Sequence, residues 1–82
     1  MSQIELSEKF KNQIKKIKDE TVLDRVRKEL KNLLKDPDTG KPLRYSFKGF
    51  RSIRIGKYRL LYAIDGDVIR VYAFEHRKDV YR

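Results

Sequence analysis

A chain of 82 residues accommodates a single domain, residues 1–82, and a domain this small buries only about 60% of the surface that its unfolded chain exposes, so its core has to be compact. The sequence has no cysteine and no cluster of metal-ligand residues, which excludes disulfides and structural zinc as staples. Lys and Arg outnumber Asp and Glu by 21 to 12, a net charge of +9 that predicts a polyanionic or acidic partner, and no apolar run is long enough to span a membrane, so a soluble cytoplasmic protein is expected.

In chain order, residues 3–6 form a short strand candidate. Ser7 is placed to cap a first helix whose apolar positions Phe10, Ile14 and Ile17 recur at spacings of four and three. A second helix follows, with Thr21 as the expected N-cap, Asp24 in the first turn, and Leu23, Val26, Leu30 and Leu33 as its apolar stripe. Asp36, Pro37 and Gly40 end it in a loop. The rest has strand character: 51–55, 58–64 and 68–75 are rich in Ile, Val, Leu and Tyr, separated by Gly56-Lys57, suited to a type II′ turn, and Asp65-Gly66, suited to type I′. The expected fold class is α+β, in β-α-α-β-β-β order, with the helical hairpin packed on an antiparallel sheet.

Charge is concentrated where the strands are. Residues 41–82 carry a net +7 against +2 for residues 1–40, and hold seven of the nine arginines. Arginine rather than lysine suits planar, bidentate phosphate recognition. Two-residue turns would set Arg54 opposite Arg59, and Arg59 opposite Tyr72. Alternation would then give one apolar face, with Ile53, Ile55, Leu60, Tyr62, Ile69, Val71 and Ala73 on it, and one face bearing Arg54, Arg59, Arg70, Tyr72, Phe74 and His76. Like charges directly opposite in a ladder are destabilising. With no acid expected on the same rows, the pair reads as a site awaiting an anion, and interleaved rings and cations suit single-stranded nucleic acid.

The stretches GKYRLLYAIDGD and HRKDVY resemble the sheet and C-terminal segment of the RelE/ParE superfamily of toxins, in particular its RelE branch. The resemblance implies a metal-independent, cofactor-free endoribonuclease toxin that cuts mRNA in the ribosomal A site by attack of a 2′-hydroxyl on the adjacent phosphate. It implies an acidic, RelB-like antitoxin as partner, alongside the ribosome and mRNA. Within it, Arg59 matches a guanidinium that stabilises the transition state, Arg54 a phosphate contact, Arg77 a group at the leaving oxygen, and Tyr81 the general base. His76 is a further acid or base candidate because its intrinsic pKa lies near neutrality. Ser52 stands where RelE enzymes often carry a second lysine, which Lys48 or Arg51 would replace; together with Arg70, Tyr72 and Lys78 these are the expected RNA contacts. The alternative is a ParE-like toxin that binds a topoisomerase without RNA chemistry.

Overall fold

The computed structural model describes residues 3–80. Strand β1 (Gln3–Leu6) leads into helices α1 (Glu8–Lys15) and α2 (Glu20–Lys35). A 3-10 turn (Pro37–Thr39) and a two-residue strand β2 (Lys41–Pro42) follow, then a second 3-10 turn (Tyr45–Phe47). Strands β3 (Arg51–Ile55), β4 (Tyr58–Asp65) and β5 (Val68–His76) complete one sheet in the order β1-β5-β4-β3-β2, and a short helix α3 (Arg77–Val80) comes last. The α+β order is as expected. The sheet is mixed, however, because β1 runs parallel to β5 while all other pairs are antiparallel. Two helices separate β1 from the next strand, so no hairpin turn constrains its direction.

Local signals place the helices. Ser7 caps α1 as expected, its Oγ accepting the Phe10 N–H at 3.0 Å while donating to the Tyr72 carbonyl at 2.6 Å. Helix α2 begins before Thr21: Asp19 is the N-cap and its carboxylate accepts the Thr21 N–H at 2.9 Å, so the carboxylate rather than the hydroxyl takes the capping position. Phe10 from α1 and Val26 and Leu33 from α2 bury against Ile53, Ile55, Leu60, Tyr62, Ile69, Val71 and Phe74 of the sheet. Helix α1 lies along β5, whereas α2 reaches β1 and β3. Beyond Val71, β5 has no strand partner on the β1 side, and α1 covers that edge: the Gln13 side-chain oxygen accepts the Phe74 N–H at 2.6 Å. Among the described residues no helix is long and apolar enough to cross a membrane.

Both hairpin turns put glycine at the first central position. Gly56 and Gly66 have φ of +58° and +59°, and neither Lys57 nor Asp67 has positive φ, the pattern of a II′ turn rather than I′. The second turn is therefore Gly66-Asp67, not Asp65-Gly66, and Asp65 pairs with Val68. A bulge then interrupts the β4–β5 ladder. Tyr62 faces Val71 but Leu61 faces Ala73, so Tyr72 is the inserted residue and every later side chain of β5 changes face.

Candidate functional site

The turn between β3 and β4 gathers the cations. Arg54 and Arg59 are directly opposite each other, as the register arithmetic predicts, on the sheet face away from the helices. Arg54 is exposed and Arg59 half-buried, with a weak contact from its Nη1 to the Ser52 hydroxyl at 3.5 Å. Opposite Arg59 on its other side stands Glu75, not Tyr72. Both the shifted turn and the bulge contribute to this, so the expectation of a row without an acid is corrected. Glu75 also binds the Lys9 ammonium at 2.6 Å. The row thus reads Arg54, Arg59, Glu75, with Lys9 at its margin.

The end of β5 brings further basic groups to the same end of the sheet. The Arg77 N–H donates to the Lys57 carbonyl at 2.9 Å, which ties the start of α3 to the β3–β4 turn. Lys57, His76, Arg77 and Lys78 line a hollow of about 340 Å³. Lys57 is a member that the sequence reading passed over as a turn residue. Its partnership with Arg77 follows from Tyr58 standing opposite His76, a register reached only through the bulge.

His76 is not on the arginine face. The bulge sends Phe74 and His76 to the helix side and Ala73 and Glu75 to the other. Phe74 fills the core edge-on to Phe10, stacks on Tyr58 at 4.8 Å, and Tyr58 meets the His76 ring at 5.7 Å. The His76 Nδ1 accepts the Lys78 N–H at 3.3 Å, so the imidazole caps the first turn of α3.

The remaining expected contacts disperse. Arg70 lies at the other end of β5, where Glu5 and Asp65 hold its guanidinium at 2.5 and 3.2 Å, so its charge is already met. Tyr72 packs edge-on against Phe50 at 4.9 Å. Arg51 donates to the Gly40 carbonyl at 2.7 Å and lies 3.4 Å from the Asp38 carboxylate, clamping the loop after α2. Lys48 is exposed in the 43–50 loop, which folds over the arginine-side face so that Phe47 and Phe50 line a groove with Leu61, Tyr72 and Ala73. Lys78 is exposed beside the hollow, and Tyr81 lies outside the described residues.

One buried tyrosine holds this framework together. The Tyr62 hydroxyl accepts the Gly40 N–H at 2.8 Å and donates to the Pro37 carbonyl at 2.7 Å, with its ring fully buried. Burial raises its pKa above 10.0, against the opposing effects of the Gly40 hydrogen bond and the Arg51 charge. A Cβ on Gly40 would sit 2.5 Å from that hydroxyl, so the close approach requires glycine.

Comparison with known proteins places this arrangement. A family model described as the ParE toxin of type II toxin-antitoxin systems, parDE, matches residues 4–81. Toxin RelG of Mycobacterium tuberculosis is 47% identical over 45 residues, a match spanning 52% of this chain and 52% of that relative. Among solved structures, the toxin-antitoxin complex RelBE2 from M. tuberculosis superposes with a TM-score of 0.79 at 28% identity, covering 93% of this chain and 98% of that one. The fold is also that of YafQ from E. coli strain BL21(DE3), with a TM-score of 0.71, 24% identity and full coverage of both chains. The strand, helix pair and sheet are thus shared with toxins solved alone and with their antitoxins, and the chain belongs to the ParE toxin family of type II toxin-antitoxin systems.

Proposed function

We propose that this toxin is a ribosome-dependent endoribonuclease that cleaves mRNA in the A site and so inhibits translation. The observation that carries the reading is the Arg54–Arg59 pair: two guanidiniums directly opposite in a ladder, at the end of the sheet where Lys57 and Arg77 also meet. A binding surface for one phosphate gains from two such groups, whereas a fold has no use for their repulsion.

In the reaction, the ribose 2′-hydroxyl gives its proton to a base, its oxygen bonds to the adjacent phosphorus, and the bond to the 5′-oxygen breaks. That oxygen takes up a proton, leaving a 2′,3′-cyclic phosphate and a free 5′-hydroxyl. No metal or cofactor is required. Arg54 and Arg59 hold the phosphate and stabilise its developing charge, with each well-placed donor worth about 2.7–4 kcal/mol. Arg77 serves the leaving oxygen and Tyr81 is the base. His76, which sits across the sheet from the arginine pair, keeps Arg77 in place through the α3 cap. Lys48 and Lys78 contact the RNA backbone. The partner that silences the toxin is an acidic antitoxin, as the solved relatives with antitoxins bound suggest.

The test is cleavage of mRNA on programmed ribosomes by the purified chain, with Arg59→Ala and Tyr81→Phe each lowering the single-turnover rate at least about 100-fold. Intact mRNA with the wild-type chain, or equal rates in the variants, would overturn the reading. The family match favours one second reading, a ParE-like toxin that inhibits a topoisomerase. Inhibition of DNA supercoiling by a chain that leaves mRNA intact would establish it.

A further inference from the structure

The 43–50 loop carries a side chain that the fold does not explain. Tyr45 has a φ of +59°, the only described residue other than glycine in the left-handed region, and the residue is 90% exposed. A bulky residue in this conformation is strained, and glycine or asparagine would make the same turn without strain. Its exposed ring adds apolar surface to the solvent with nothing packed on it.

The loop beneath the ring is firmly built. The Leu43 N–H donates to the Phe50 carbonyl at 3.0 Å, closing its base. Within it, the Phe47 and Lys48 N–H groups donate to the carbonyls of Arg44 and Tyr45 at 3.1 and 3.0 Å. Phe50 anchors the whole on Tyr72. Arg44 and Lys48, one residue before and three after Tyr45 in the same loop, are exposed. From Gly40 to Ile64 the chain has seven cations and no acid, so the ring stands in a stretch of strongly basic sequence.

A bare aromatic face on a rigid turn between two cations has the elements of a stacking platform for single-stranded nucleic acid. We propose that the loop binds an unpaired RNA base on the Tyr45 ring, with Arg44 and Lys48 on the neighbouring phosphates. This rests on the reading of the toxin as RNA-directed and extends it, since the platform lies outside the arginine pair. RNA is favoured over a protein partner because the exposed ring lies in a stretch that carries seven cations and no acid.

The experiment measures fluorescence anisotropy of the full chain with a labelled single-stranded RNA whose 2′-hydroxyls are methylated. Such RNA cannot be cleaved, so the change in its binding on substitution within the loop reports on the loop, whereas cleavage by Arg59→Ala reports separately on the chemistry. Tyr45→Gly accepts the left-handed backbone and should keep the fold, with an unchanged or raised Tm, while weakening RNA binding by about 5- to 100-fold. Tyr45→Phe should bind as wild type. Arg44→Ala and Lys48→Ala should each reduce the slope of log affinity against log salt by about 0.7. The proposal is overturned if the wild-type chain does not bind this RNA or if Tyr45→Gly binds it equally well. It is also overturned if the substitution abolishes self-association of the chain with RNA affinity unchanged, which would make the ring a protein contact.

Discussion

Replacing Arg54 with glutamate separates stability from activity in opposite directions. Arg59 lies between Arg54 on β3 and Glu75 on β5, so one neighbour repels its charge and the other attracts it. Like charges directly opposite cost up to about 1 kcal/mol, and opposite charges return a similar amount. Because Arg54 is exposed, solvent screens both terms, and Arg54→Glu should stabilise the fold by about 0.5–1 kcal/mol. In a domain of this size that corresponds to a rise in Tm of about 2–8 °C. The gain should shrink as salt is raised, since screening weakens attraction and repulsion alike. On the proposed reaction, the same change removes a phosphate donor and adds a repelling charge, so single-turnover cleavage should fall at least about 100-fold. Calorimetry at low and high salt, paired with cleavage on programmed ribosomes, measures both. A lower Tm, or a shift indifferent to salt, would show that the pair is not repulsive in the native state. An unchanged rate would show that it does not hold the phosphate.

Gly40→Ala should destabilise by about 2–5 kcal/mol in urea unfolding, because the new Cβ displaces the Tyr62 ring and both of its hydrogen bonds. Tyr62 also gives an alkaline signature: its folded pKa lies above the unfolded 10.0, so its contribution is intact below pH 10.0 and is lost as pH rises through the folded value. Wild-type stability should therefore fall more steeply above pH 10.0 than that of Tyr62→Phe, and parallel curves would contradict the assignment. Arg70→Ala should change RNA affinity less than about twofold and stability by no more than about 1 kcal/mol, since Glu5 and Asp65 already hold that exposed guanidinium.

The elements were largely legible in the sequence because their signals are local. Ser7 at the start of α1, strand Arg51–Ile55 and the glycine of the first hairpin appear where the residues indicate them. The Arg54–Arg59 pair follows from the first turn alone, which is why that part of the site could be derived by counting. What counting misses is set by choices between similar local options. Asp19 and Thr21 both suit an N-cap, and Asp65-Gly66 and Gly66-Asp67 both suit a turn. Arg51 and Arg70 look like free cations in the sequence, but their carboxylate and carbonyl partners lie on other elements, across the sheet or a turn. The bulge has no local signal at all, since neither glycine nor proline marks Tyr72.

Its cause lies in the core. Unbroken alternation along β5 would place Ala73 and Glu75 against the helices and send Phe74 outward. Burying a carboxylate beside Phe10 would cost several kcal/mol unless it were neutralised or paired, and exposing Phe74 would forfeit about 1.5–3 kcal/mol of burial. Inserting Tyr72 reverses both outcomes: Phe74 becomes 2% exposed against Phe10 and Tyr58, and Glu75 emerges next to Arg59 within reach of Lys9. The same shift carries His76 to the helix side, where it caps α3, and sets Arg77 against the Lys57 carbonyl. The basic end of the sheet thus takes its arrangement from an apolar residue. Burial of Phe74, rather than any attraction among the charges, sets Glu75 beside Arg59 and Arg77 beside Lys57.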